Sequence, residues 1–158
     1  MKTKAPNRIS RIAASIDDLA TITETDRPHT RLVFSSEFDR GRDWLTKTFM
    51  AAGLVCHIDD GGNLVGIRKG KQNGDNVEKV IIGSHIDTVP AGGRFDGVAG
   101  VIAALEVVHY LNENETELPF DLEVVDYLGE ELNVWGTSCL GSRHMAGLIT
   151  SEMIERVD

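Results

Sequence analysis

Residues 83–100 read GSHIDTVPAGGRFDGVAG, and they follow an apolar run, residues 80–82, that predicts a β-strand buried on both faces. His85 and Asp87 therefore leave the carboxyl end of a strand, which is the edge where open α/β sheets bind ligands. Because these two residues are two apart in an extended segment, the imidazole can bind a metal ion while the carboxylate orients the ring. Asp96 follows in a glycine-rich turn, whose flexible backbone can bring its carboxylate back toward the same point.

A second strand-like run, residues 122–128, ends in Gly129 and the adjacent glutamates Glu130 and Glu131. It brings two more carboxylates to a strand end. His85 alone would most often be a hydrogen-bonded structural histidine. A His-x-Asp pair, a glycine-turn aspartate and a Glu-Glu pair together supply the oxygen and imidazole ligands that divalent metals need. The combined pattern therefore predicts a metal site.

The composition is typical of one ordinary globular domain. A chain of 158 residues, 41% of them hydrophobic, can bury a single core. Sixteen basic residues against twenty-five acidic ones give a net charge of −9. This charge argues against nucleic acid or an anionic membrane as a partner. The basic start is not followed by an apolar segment of signal-peptide length, so we expect a cytoplasmic protein.

Other residues that could carry chemistry have simpler interpretations. Cys56 and Cys139 are too few for a disulfide framework, and Cys139 has no base beside it in sequence, so we interpret it as an ordinary buried thiol. The glycine-rich turn lacks the Gly-Lys-Ser/Thr of a phosphate-binding loop. The four remaining histidines fall on loops, a strand and a helix flank, where we interpret them as solvated or structural: His29, His57, His109 and His144.

Hydrophobic periodicity predicts a mixed α/β fold in three layers, with helices covering a central sheet of about four strands. Residues 60–63, DGGN, predict the tight turn of a hairpin between the first two strands. The predicted strands begin at Leu54, Leu64, Lys79 and Leu122. The predicted helices cover residues 8–23, 36–52, 97–111 and 151–157.

Three stretches carry a resemblance to a known family. Residues 83–108 (GSHIDTVPAGGRFDGVAGVIAALEVV) and 128–147 (LGEELNVWGTSCLGSRHMAG) resemble catalytic-domain motifs of the hydantoinase/carbamoylase branch of the M20 metallopeptidase clan. Residues 30–66 resemble the helix and hairpin that precede those motifs. This branch includes N-carbamoyl-L-amino-acid hydrolases, allantoate amidohydrolases and β-ureidopropionases. The resemblance implies a zinc-exopeptidase-like α/β fold with a mixed sheet flanked by helices.

The resemblance also implies a role for each candidate residue. His85 would bind one divalent ion, Glu131 would bind a second, and Asp96 would bridge the two. Asp87 would hold the His85 ring in its ligating tautomer. Glu130 would be the general base that takes a proton from the attacking water and returns it to the leaving nitrogen. The implied cofactors are two divalent ions, zinc or else manganese or cobalt, and the implied substrate is a small ureido or amide compound.

The chain departs from the family pattern in two ways. Residues 132–135, LNVW, differ from the usual run after the paired glutamates, which leaves the substrate open. Family members are also much longer, with a lid and dimerisation domain and two further histidine ligands downstream. We therefore interpret residues 1–158 as the N-terminal portion of an amidohydrolase catalytic domain, without the lid and dimerisation domain. Each ion would then have two protein ligands, so we expect weak metal binding and no turnover by this chain alone.

The expected reaction is hydrolysis of the C–N bond of N-carbamoyl-L-amino acids or related ureido compounds. Two alternatives are a dipeptidase or aminoacylase of the same clan, and a remnant that folds and binds a partner without catalysis. Exposed apolar surface would favour self-association into a homo-oligomer. The family resemblance further implies a cis peptide bond after Asp96, a costly geometry kept at sites that need it.

Overall fold

The computed structural model describes residues 7–72 and 77–155. Five helices and four strands are present in these ranges. In chain order they are α1 Arg8–Thr21, α2 Ser36–Ala51, β1 Val55–Ile58, β2 Leu64–Arg68, β3 Lys79–Ser84, α3 Val98–Glu113, β4 Asp121–Asp126, α4 Leu140–Met145 and α5 Ser151–Glu155.

Local capping explains where the first two helices begin and end. The Asn7 side chain accepts the Ile9 N–H at 3.1 Å, which starts α1. Ser35 caps α2 in the same way, because its hydroxyl oxygen accepts the Phe38 N–H at 3.1 Å. Gly53 follows the end of α2 with φ 85°, a left-handed conformation that favours glycine. The predicted helices are confirmed, with ends shifted by a few residues.

The sheet has the strand order β1-β2-β4-β3. The predicted hairpin is confirmed, since β1 and β2 pair antiparallel across the turn at residues 59–63. β2 pairs antiparallel with β4, whereas β3 pairs parallel with β4. The sheet is therefore mixed, as predicted, and it brings the carboxyl ends of β3 and β4 together at one edge.

The prediction that the strand before His85 is buried on both faces is wrong. Among the described residues β3 pairs only with β4, so it is an edge strand, and Val80 and Ile81 are 41% and 39% exposed. The central position belongs to β4, all of whose residues are buried. Its sequence, DLEVVD, contains three acidic residues, which is typical of a half-exposed strand. Buried Glu123 is compensated by Lys79 on the neighbouring strand, 3.2 Å away.

Helices α1, α2 and α3 share one hydrophobic core with one face of the sheet. Close packing against α2 is visible at Gly66, where an added Cβ would lie 2.7 Å from the fully buried ring of Phe49. Val65 and Val125 are also buried but point away from this core. The mixed α/β fold with flanking helices is thus confirmed.

Buried polar contacts fix the segment that follows β3. The Arg31 side chain, in a residue only 3% exposed, donates hydrogen bonds to the carbonyl oxygens of Ile86, Leu19 and Ile22 at 2.8–3.0 Å. These bonds tie the segment to the end of α1. Burial lowers the pKa of Arg31, but the guanidinium stays charged because its ordinary pKa is far above neutrality.

A second buried contact joins the end of β4 to the same segment. The Asp126 carboxylate accepts the Ile86 N–H at 2.9 Å and forms an ion pair with Arg42 at 2.6 Å. Burial raises the pKa of Asp126 to about 6, and the Arg42 charge opposes that rise. In the described ranges, no helix has both the length and the apolarity that crossing a membrane requires.

The exposed edge strand predicts concentration-dependent self-association. On the side of β3 away from β4, the backbone groups pair with no other strand of residues 7–72 and 77–155. Together with exposed Val80 and Ile81 they form a template for pairing with another copy. Ile81→Lys should shift the population toward monomer, because an edge lysine disfavours such pairing. The matched control is Ile9→Lys, at a position 75% exposed on α1 and away from the sheet. Sedimentation velocity at several concentrations measures the effect; a monomer at every concentration would contradict the prediction.

Candidate metal centre

The end of β3 positions His85 and Asp87, which are 6% and 1% exposed. His85 Nδ1 lies 2.9 Å from the main-chain oxygen of Asp87 and 3.5 Å from its Oδ1. In the tautomer that donates to this carbonyl, Nδ1 carries the proton and Nε2 is left as the free ligand atom. The geometry therefore allows Asp87 to orient the ring as the sequence predicted.

The end of β4 is tied to β3 through the Asp87 carboxylate. Its two oxygens accept the backbone N–H groups of Glu130 at 3.2 Å and Glu131 at 3.0 Å. These bonds draw both glutamates toward His85, whose Nε2 lies 3.4 Å from Glu130 Oε2. One ligand atom from each of His85, Glu130 and Glu131 falls within 4.8 Å of the others. An imidazole nitrogen with two carboxylate oxygens fits a zinc ion or a similar divalent cation.

The Asp96 carboxylate lies beside that of Glu131. Burial, followed by the charge of Asp96, raises the pKa of Glu131, and the nearby His85 opposes this rise. Two adjacent carboxylates repel each other unless a cation lies between them. Asp96 is not in the group of ligand atoms that lie within 4.8 Å of one another, where Glu130 stands instead. The predicted ligand set of His85, Asp96 and Glu131 stays a prediction.

The pKa of His85 is raised to about 9 by its neighbours. Burial acts in the opposite direction and is the largest single effect, but the Asp87 carboxylate and carbonyl and the Glu130 charge together outweigh it. Without a metal, His85 is therefore largely protonated at neutral pH. A metal ion must displace that proton, so metal binding is coupled to proton release.

Gly97 lets α3 begin against the His85 ring. Its φ is 63°, and an added Cβ would lie 2.4 Å from the His85 carbonyl oxygen and 2.5 Å from the ring carbon Cε1. Val98 donates its N–H to the Asp96 carbonyl oxygen at 2.6 Å, which closes the turn. The expected cis bond after Asp96 is wrong for this structure, because no cis peptide bond occurs in the described ranges. The positive φ at Gly97 makes the turn instead.

An apolar cleft opens next to these residues. It has a volume of about 390 Å³ and is lined by Leu32, Val33, Phe34, Ser35, Asp87, Thr88, Pro90, Glu131, Leu132, Asn133, Val134 and Trp135. We call this feature the apolar cleft. The rings of Phe34 and Trp135 meet edge to face, with centroids 5.6 Å apart. Sequence patterns did not predict the cleft, because its two walls are about a hundred residues apart in the chain.

Cys139 is placed differently from its interpretation as an ordinary buried thiol. It is partly exposed, and its Sγ lies 3.6 Å from Glu130 Oε1. The backbone N–H of Cys139 also donates to the Glu130 carbonyl oxygen at 2.9 Å. The thiol therefore contacts Oε1 of the Glu130 carboxylate, whereas the other oxygen, Oε2, faces His85. The structure places His85, Asp87, Glu130 and Glu131 together just beyond the ends of β3 and β4, with Asp96 beside Glu131 in the turn before α3, and their individual roles stay predictions.

The fold and the site define a class of proteins. The model of peptidase family M28 matches residues 63–157, more than half of the chain, so the chain belongs to this family. The family label is M28, whereas the motifs resemble a branch of the M20 clan. The relatives and solved structures support the hydantoinase/carbamoylase resemblance itself.

Two similar proteins carry hydrolase names. An N-carbamoyl-L-amino-acid amidohydrolase of Pseudomonas sp. (strain NS671) is 38% identical over 150 residues, which cover 94% of this chain and 36% of that protein. A ureidoglycolate hydrolase of Oryza sativa subsp. japonica is 36% identical, over 84% of this chain and 27% of that protein.

A solved structure agrees with these relatives. The crystal structure of a hydantoinase/carbamoylase family amidase from Burkholderia ambifaria superposes with a TM-score of 0.83 at 38% identity. That match covers 90% of this chain and 35% of the amidase chain. The chain thus spans about a third of the length of the relatives it matches.

Gly97→Ala should destabilise the fold far more than the same change at Gly53. Gly53 has φ 85° with no atom within 4 Å of an added Cβ, so we expect a cost of about 1–2 kcal/mol for backbone conformation alone. Gly97→Ala adds the collision with His85, and overpacking of this kind costs a further ~1–3 kcal/mol. Urea unfolding of both variants measures the difference; equal costs would show that the contact with His85 is unimportant.

The raised pKa of His85 predicts a pH-dependent stability of the metal-free protein. Because the pKa rises from 6.5 to about 9 on folding, protonated His85 stabilises the fold fully below about pH 6.5. That contribution is lost as the pH rises through about 9. Urea unfolding at several pH values, with a chelator present, should show the fall.

The same titration can be observed directly. The His85 imidazole signal, followed by NMR, should move with a midpoint near pH 9. Asp87→Asn should lower that midpoint, because burial would then lack its main opposing charge. An unchanged midpoint in Asp87→Asn would contradict the assigned cause.

Proposed function

We propose that this chain supplies the metal-binding part of an amidohydrolase catalytic domain. The proposed reaction is hydrolysis of the C–N bond of N-carbamoyl-L-amino acids or related ureido compounds. One observation carries the proposal: His85, Glu130 and Glu131 converge within 4.8 Å at the shared edge of β3 and β4, with Asp96 beside Glu131. The names of the relatives supply the class of bond.

The residues divide into ligands, a positioning residue and a base. His85, Asp96 and Glu131 would hold one or two divalent ions, zinc or else manganese or cobalt. A bound divalent ion supplies a Lewis acid that polarises the substrate carbonyl and makes water more acidic. Asp87 positions the others, because it contacts the His85 ring and accepts the backbone N–H groups of both glutamates.

Glu130 suits the role of general base. Its side chain is 39% exposed, so it can meet a water molecule that enters from solvent. Its two oxygens have different neighbours: Oε1 faces the Cys139 thiol at 3.6 Å and Oε2 faces His85 at 3.4 Å. A carboxylate held from one side keeps its other oxygen directed into the site. It can then accept a proton from the attacking water and deliver it to the leaving nitrogen.

A peptidase is the second candidate, and the family label favours it. Family M28 is named for peptidases, and its model covers residues 63–157, which include every proposed ligand. The bond cleaved would then be a peptide or N-acyl amide rather than a ureido C–N bond. Paired assays on an N-carbamoyl amino acid and the N-acetyl form of the same amino acid separate the two functions.

We also propose a cytoplasmic location and a homo-oligomeric state.

The decisive assay follows ammonia release from N-carbamoyl-L-amino acids by the longest form of the protein that contains this chain. With zinc, manganese or cobalt added, we expect release that a chelator abolishes. Glu130→Gln should lower the rate by roughly 10²–10⁴-fold, because it removes the general base. No chelator-sensitive release from a folded, metal-loaded protein would refute the proposal.

Metal binding by residues 1–158 gives an independent measurement. Isothermal titration should show weak binding of zinc that His85→Ala and Glu131→Ala each reduce further, since each removes a proposed ligand. His57→Ala is the matched control, because His57 lies on exposed β1, away from the site. Equal loss of binding in His57→Ala would point to nonspecific uptake.

A further inference from the structure

The apolar cleft lies directly beside the candidate metal centre, because Asp87 and Glu131 line both. Its volume of about 390 Å³ falls within the range of small-molecule sites. None of the described residues that line it is Lys, Arg or His, and both of its charged groups are carboxylates. The cleft therefore disfavours an anionic ligand group.

Most polar side-chain atoms of the lining already form hydrogen bonds within the protein. The Ser35 hydroxyl caps α2, and the Thr88 hydroxyl oxygen accepts the Arg31 N–H at 2.9 Å. The Asn133 amide oxygen accepts the backbone N–H groups of Trp135 and Thr137 at 3.1 and 3.2 Å, whereas its Nδ2 is buried without a hydrogen-bond partner. Apart from this amide donor and the two carboxylates, little polar capacity remains for a ligand, so the surface that the cleft offers is chiefly apolar.

The two walls are exposed apolar segments that contact each other. Phe34 on one wall is 51% exposed, and Leu132 and Val134 on the other are 65% and 82% exposed. Phe34 has φ 64°, an uncommon conformation for an aromatic residue. In this conformation its ring meets Trp135 edge to face. Exposed apolar side chains gathered around a cleft mark a binding surface.

We propose that the apolar cleft receives the side chain of the amino acid substrate. This inference rests on the proposed function and adds to it the class of N-carbamoyl amino acid. In such a substrate the side chain begins on the carbon next to the scissile nitrogen, so it must lie within a few bonds of the reacting carbonyl. With that carbonyl at His85, Glu130 and Glu131, the adjoining space is the apolar cleft.

The preferred substrates then carry a large aliphatic or aromatic side chain. Ureidoglycolate and allantoate, the compounds named for some relatives, bear a hydroxyl or a second ureido group at this position. Those groups would lose hydrogen bonds to water in the apolar cleft, where only the Asn133 amide donor and the two carboxylates offer partners. Leu132, Val134 and Trp135 lie in the run LNVW that directly follows Glu131, so the segment that carries this proposed ligand also supplies much of the cleft lining.

The test measures ligand binding to residues 1–158 without any hydrolysis. The chain has two tryptophans, Trp44 and Trp135, whose indole N–H signals an NMR spectrum resolves and a Trp44→Phe variant assigns. N-carbamoyl-L-leucine and N-carbamoyl-L-phenylalanine should shift the Trp135 signal in a saturable way and leave Trp44 unmoved. Their affinity should exceed that of N-carbamoylglycine and allantoate by at least about tenfold.

A matched pair of variants locates the binding surface. Leu132→Asp, in the cleft wall, should weaken N-carbamoyl-L-leucine binding at least about fivefold, because it places a charge where the apolar side chain rests. Leu148→Asp is the control, at a residue 61% exposed and outside the cleft, and should bind as the unaltered chain does. Both positions are exposed, so neither variant should unfold.

Three results would overturn the inference: equal binding of N-carbamoylglycine and N-carbamoyl-L-leucine, no movement of the Trp135 signal, or equal effects of Leu132→Asp and Leu148→Asp. The inference and the proposed function fail separately. Side-chain binding in the cleft without ammonia release in the longer protein would keep the cleft assignment and refute the hydrolase. Ammonia release with no preference for apolar side chains would keep the hydrolase and refute the cleft assignment.

Discussion

The candidate site depends on one buried carboxylate, that of Asp87. Its oxygens accept backbone N–H groups from the loop after β4, while its residue follows β3 and touches the His85 ring. Two strand ends from distant parts of the chain are thereby joined at a fixed separation. Hydrogen bonds that a carboxylate accepts are stronger than those between neutral groups, so the link is strong where water is excluded.

Two arginines stabilise the two strand ends that Asp87 joins. Arg31 binds three carbonyl oxygens around the segment after β3, and Arg42 neutralises Asp126 at the end of β4. Removing one partner of a buried pair leaves an uncompensated charge, which is far more costly than the pair itself is stabilising. Buried polar groups thus hold the site residues in place, while the apolar core packs the helices against the sheet.

The sequence predicted the helices and strands, and the closeness of the candidate site residues, better than it predicted the arrangement of the strands. Helical periodicity and capping residues such as Ser35 are local, and so is the motif around His85 and Asp87. Strand order is not local: β4, with its acidic residues, is central, whereas the apolar run of β3 lies at an edge. The apolar cleft and the contact between Cys139 and Glu130 also depend on pairings between distant segments, which no spacing in the sequence encodes.

The loop that carries Glu130 and Glu131 is gripped through its main chain rather than through its side chains. Every amino acid except proline offers the same N–H group at these positions. The contacts that hold this loop therefore do not depend on the side chains at positions 130 and 131. Substitutions at these two positions can change the chemistry of the site while the loop keeps its place.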